Sequence, residues 1–71
     1  MPFYRFVMYS NDCQAEDLGI VERLNDADAR SFCDSLIRER MQTDPRFYAG
    51  WTMDIIEAGR AVASIPFNRR L

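Results

Sequence analysis

The stretch NDADARSFCDSLIRERMQTDP, Asn25 to Pro45, decides how this chain folds. Ala29, Phe32, Cys33, Leu36, Ile37 and Met41 recur at spacings of three and four, the period that gathers side chains on one side of a helix. An apolar stripe of that width is suited to covering a sheet. Asn25 is the expected N-cap, because its side-chain oxygen can accept from a first-turn amide, and Asp26 and Asp28 sit where the helix dipole favours negative charge. On the outer side, Asp26, Arg30, Asp34 and Arg38 form a series of i,i+4 opposite charges, each exposed pair contributing about 0.2–0.5 kcal/mol. Proline disfavours the helical conformation in the residue before it, so Thr43-Asp44-Pro45 should end the helix.

Working outward, Phe3 to Tyr9 alternates as a first strand, with Tyr4, Phe6 and Met8 pointing one way and Phe3, Arg5, Val7 and Tyr9 the other. Ser10, Asn11 and Asp12 are turn formers, and the polar run to Gly19 reads as a long connection. Ile20 to Leu24 is then expected to pair back as a short second strand. Beyond the helix, Arg46 to Gly50 reads as a loop carrying Phe47 and Tyr48. Trp51, Met53 and Ile55 alternate with Thr52, Asp54 and Ile56 in a third strand. Glu57-Ala58-Gly59-Arg60 supplies a hairpin connection with glycine available for positive φ. Ala61, Ala63, Ile65 and Phe67 alternate with Val62, Ser64 and Pro66 in a fourth strand, and Pro66, which cannot donate to a ladder, belongs at its end or on an edge.

The element order is β-β-α-β-β, with strands grouped around one helix instead of alternating with helices. That order implies an α+β fold: two β-hairpins flanking one amphipathic helix, with a four-stranded antiparallel sheet and the helix on one face. All 71 residues fit one small domain, residues 1–71, without an internal repeat or linker. A chain this short buries roughly 60% of the surface its unfolded form exposes, so its core is thin and a partner copy is a natural source of further burial.

One helix covers only one face of four strands. The alternation assigns Phe3, Val7, Tyr9, Ile56 and Val62 to the other face, and these five residues are the candidate self-association face. A contiguous apolar patch of that kind commonly marks an association site, and a homodimer is the expected closed solution. Edge-to-edge strand pairing is the competing route. Trp51 reads as core, although tryptophan is also enriched at interfaces.

Charge and residue usage narrow the functional classes. The sequence has no histidine and no lysine, nine arginines and a net charge of −2. Without histidine the usual general base is absent, and Ser10, Ser31, Ser35 and Ser64 lack a nucleophile-elbow setting, so no catalytic residue is assigned and the chain is not expected to be an enzyme. Glu16-Asp17 and Asp26/Asp28 do not follow a calcium-loop spacing and are accounted for by solvation and helix capping. Cys13 and Cys33, without a CxxC or a histidine, make neither a zinc site nor a redox motif and read as free thiols. No metal or cofactor is expected.

Membrane association is not expected either, because no segment approaches the ~18 uninterrupted apolar residues of a spanning helix. Arg5 interrupts the N-terminal apolar run, which removes a signal-peptide core, and a cytoplasmic location is the expectation. Asn11 to Asp28 forms an acidic lobe and Arg69-Arg70 a basic end, a pattern that either keeps the surface solvated or orients two copies head to tail. Nucleic acid is not expected as a partner for a chain of pI 4.9, since phosphate binding leaves a basic footprint. Arg5, Arg60, Arg69 and Arg70 are the residues from which a local patch could be built.

Met1-Pro2-Phe3-Tyr4-Arg5-Phe6, the Glu16-Asp17-Leu18-Gly19 turn, the Ala29-Arg30 pair, and Trp51, Ile55, Glu57-Ala58-Gly59-Arg60 and Ile65-Pro66-Phe67 follow one another in an order and spacing that resemble a family of short bacterial proteins. That family's domain is catalogued as being of unknown function. The segment between Gly19 and the helix is a residue longer than the family pattern, and Asn25 stands where the family tends to have aspartate. The resemblance implies one small domain and brings no activity, cofactor or site residue with it. The functional expectation is therefore a non-enzymatic, homo-oligomeric interaction or regulatory module, open to a further protein partner. The alternative is a nucleic-acid-associated accessory or antitoxin-like protein.

Overall fold

Asn25 caps the helix as its side chain predicts. In the structure, a computed structural model that describes residues 2–68, Asn25 has extended backbone and its side chain accepts from the Asp28 N–H at 2.8 Å. The Asp28 carboxylate in turn accepts from the Leu24 N–H at 2.9 Å, so two backbone donors at the helix start are satisfied from both directions, in the manner of a capping box. The helix, α1 (Asp26–Thr43), ends where Asp44 donates its N–H to the Arg40 carbonyl at 3.0 Å.

Two antiparallel hairpins lie on either side of α1 in the chain: β1 (Phe3–Tyr9) with β2 (Ala15–Glu22), and β3 (Thr52–Glu57) with β4 (Arg60–Pro66). Antiparallel pairing of β1 with β3 joins them into one sheet of order β2-β1-β3-β4, an α+β architecture with β1 and β3 central. On the helix side, Tyr4, Phe6 and Met8 of β1 and Met53 and Ile55 of β3 pack with Ala29, Cys33 and Ile37 of α1, and Trp51, Ile65 and Phe67 close the cluster. Ala29 and Cys33 are fully buried. Small side chains there let the helix approach the sheet closely, and Cys33 acts as packing material, whereas Cys13 stands exposed in the β1–β2 reversal.

Three departures from the sequence expectations have physical causes. The second strand is Ala15–Glu22 instead of Ile20 to Leu24, and the connection shrinks to a short reversal closed by the Ser10 N–H donating to the Gln14 carbonyl at 2.8 Å. Ala15, Glu16 and Asp17 are all exposed on this edge strand, so no alternation is there to read. Gly19 pairs with Phe6 and Asp17 with Val7, leaving Leu18 as the extra residue of a bulge. Gly19, at φ +96, supplies the backbone conformation there, and an Asp17 oxygen accepts its N–H at 2.8 Å.

The expected loop from Arg46 to Gly50 begins as a single helical turn, α2 (Pro45–Tyr48). Asp44 makes it possible: the residue that closes α1 also accepts the Phe47 N–H on its carboxylate at 3.2 Å, with Pro45 suited to the first helical position. The third departure is in β4. Ile55 pairs with Ala63 and Ile56 with Ala61, so Val62 is inserted as a bulge and the alternation changes sides within the strand.

Candidate interaction face

Cross-strand partners project on the same side of a sheet, so the register defines the face that α1 leaves uncovered. Ile20, Arg5, Ile56 and Ala61 form one row across all four strands, and Asp17, Val7, Asp54 and Ser64 form the next. Ala15, Tyr9, Thr52 and Pro66 make the third, and Glu22 lies opposite Phe3 at the far end.

Four of the five candidate residues are therefore brought together: Phe3, Val7, Tyr9 and Ile56 share this outer face. Val62 does not belong to it. As the bulge residue it turns to the helix side, packs against the core, and lines a small hollow with Asp26, Ala27 and Arg30 at the start of α1. Strict alternation had placed it outside; the inserted residue reverses that. Ile20, in contrast, is a face residue that the short second strand had not assigned. Its signal is its register opposite Arg5, legible only once β2 extends to Ala15.

Phe3 is 59% exposed, Ile20 57% and Tyr9 37%, so three of the large exposed apolar side chains cluster on one surface, with Val7 and Ile56 half-buried between them. Phe3, Arg5, Ile20 and Ile56, with the Ala58-Gly59 turn, enclose a shallow hollow of about 520 Å³ at one end. Five of the polar groups on the face are paired within it. Arg5 donates to Asp17, whose carboxyl is held below the usual carboxylate range by the Gly19 N–H and by Arg5. Asp54 accepts from the Ser64 hydroxyl at 2.8 Å and from the Tyr9 hydroxyl at 3.4 Å.

The arginines considered for a phosphate patch are engaged elsewhere. Arg5 is paired with Asp17, and Arg60 donates to Asp26 at 3.0 and 3.1 Å and to Glu57 at 2.6 Å. Arg69 and Arg70 lie outside the described residues. Asp26 faces Arg60 and Tyr4, so the first link of the expected surface series to Arg30 is replaced by a bond between elements. Asp28 is likewise held by Arg23, whose guanidinium also sits 4.7 Å from the centre of the Phe32 ring. Among the described residues no group of three or more histidine, cysteine or acidic side chains is placed to hold a metal ion, and no helix is long and apolar enough to cross a membrane.

No family model, curated protein or solved structure matches the chain.

Proposed function

We propose that this chain is a non-enzymatic, cytoplasmic interaction or regulatory module that works as a homodimer, two copies packing through their outer sheet faces. The carrying observation is that Phe3, Tyr9 and Ile20 are exposed together on a face where Arg5 bonds to Asp17, and Tyr9 and Ser64 bond to Asp54. Covering such a face removes apolar surface from water without stranding those polar groups, and unsatisfied buried polar groups are what ordinarily oppose association.

Size supports the same reading. Four strands spaced about 4.8 Å and seven residues rising about 3.4 Å each give a plane of roughly 19 by 24 Å. With side-chain relief this approaches the roughly 600–800 Å² per partner buried in small specific interfaces. The core of the described residues is modest, eleven buried apolar side chains, so burial against a second copy would add substantially to stability.

Light scattering and thermal melts across a micromolar concentration series test this. The expected result is twice the 8.3 kDa chain mass and a melting temperature that rises with concentration. Val7→Arg, at the centre of the face, should give a folded monomer. Monomer mass with a concentration-independent melting temperature would overturn self-association, and a Val7→Arg protein that stays dimeric would transfer the interface to the strand edges.

A further inference from the structure

At the end of the sheet away from the Ala58-Gly59 turn, a second surface is built from residues that the outer face does not use. The β1–β2 reversal and the α2–β3 connection enclose a cleft of about 470 Å³. Its apolar side is Phe47, 51% exposed, which lies against Trp51 at 5.6 Å between ring centres. Tyr48 packs edge-on against both rings, and Phe67 stacks on Tyr48 in turn. The polar side carries Asn11, Asp12, Gln14 and Arg46.

Asp12 and Arg46 line the same cleft yet lie too far apart to form an ion pair, and neither side chain bonds to another described residue. The Asp12 loop is held independently of its carboxylate, through its N–H and the Gln14 N–H donating to the Ser10 hydroxyl. One negative and one positive group thus face a shared space floored by an exposed ring. That charge balance disfavours a simple anion or cation as the occupant. It also disfavours a nucleotide, whose phosphate would meet the Asp12 carboxylate on a chain of net charge −2.

We propose that this cleft binds a small zwitterion, an α-amino acid or dipeptide with an apolar side chain. Its ammonium pairs with Asp12, its carboxylate with Arg46, and its side chain covers Phe47. The Asn11 and Gln14 amides supply a donor and an acceptor each for the remaining polar atoms. A volume within the ordinary range of ligand clefts accommodates either size of ligand. The site is separate from the outer sheet face, so it stands or falls independently of self-association.

Trp51 is the only tryptophan in the sequence, so its fluorescence reports directly on the cleft. The full chain is titrated with L-leucine and with the dipeptide leucyl-leucine, which separates the two sources of the zwitterion. A saturable change with at least one of them is expected in the millimolar range or below. N-acetyl-leucine, lacking the ammonium, and leucinamide, lacking the carboxylate, should each bind at least about tenfold more weakly, as loss of a charge-assisted contact requires.

Asp12→Asn should weaken leucine binding while leaving the response to N-acetyl-leucine unchanged. Arg46→Gln should weaken leucine binding while leaving the response to leucinamide unchanged. Both positions are exposed, and melts of the variants check that the fold is retained. No saturable response to either zwitterion, equal binding of the blocked analogues, or tighter binding of adenosine monophosphate would each overturn the proposal.

Discussion

The Tyr4 hydroxyl donates to Oδ1 of Asp26 at 2.8 Å, tying β1, one of the two central strands, to the first residue of the helix. Arg60 grips the same carboxylate with both terminal nitrogens while also holding Glu57. One acidic side chain therefore joins β1, the start of α1 and the β3–β4 hairpin. Burial, and then the bond to Asp26, push the Tyr4 phenol up to about 12. The Arg60 bond, with Tyr4 second, holds the Asp26 carboxyl below its ordinary range, and Arg23 does the same for Asp28.

These shifts fix the sign of the pH dependence. Carboxylates depressed in the folded state contribute stability above their unfolded pKa of about 3.9 and lose it as pH falls from there through the folded values. Tyr4, raised in the folded state, contributes stability below about pH 10 that is lost as pH climbs from there toward 12. Melting temperature should accordingly be flat around neutrality and fall at both ends. Asp26→Asn should lower the neutral plateau and soften the acid limb, and Tyr4→Phe should remove part of the alkaline limb, both read by thermal melts across pH.

The β3–β4 turn can be improved. Ala58 sits at φ +50 and Gly59 at φ +80, the signature of a two-residue type I′ turn, in which asparagine is far better accommodated than alanine. Ala58→Asn should stabilise the domain by about 0.5–1 kcal/mol, measured by chemical denaturation, without altering association, since residue 58 is at the rim of the outer face. An unchanged or lowered midpoint would show that the turn carries no strain worth relieving.

What could be read from the sequence follows from how each element is buried. The helix, its Asn25 cap and its Asp44-Pro45 stop are local signals, and the central strands alternate because one face is packed and the other is not. Edge strands carry neither advantage. In β2 the exposed Ala15-Glu16-Asp17 run looks like loop, and in both edge strands a bulge breaks the period of two, at Leu18 and at Val62. Those bulges account for the missed Ile20 and the misassigned Val62. The Asp26 to Arg60 pair spans 34 residues, so no local spacing rule could find it, whereas Arg30 at i+4 was the obvious but unused partner.

The Val62 reassignment yields the sharpest comparison between fold and association. Val62 and Ile56 neighbour each other across the same hairpin, yet the bulge sends Val62 toward Asp26 and the helix while Ile56 stays in the outer row beside Arg5. Val62→Asp inserts a carboxylate into the core margin and should cost about 1–3 kcal/mol through desolvation. Because that penalty lies within one copy, it should be the same at every protein concentration. Ile56→Asp instead places its charge on the surface that a second copy would cover. Its melting temperature should match the parent chain at low concentration, where both are monomeric, and fall behind only as concentration rises and the parent dimerises. Paired melts over a hundredfold dilution distinguish the two. If Val62→Asp showed the concentration-dependent loss and Ile56→Asp the constant one, the bulge would have been assigned to the wrong face.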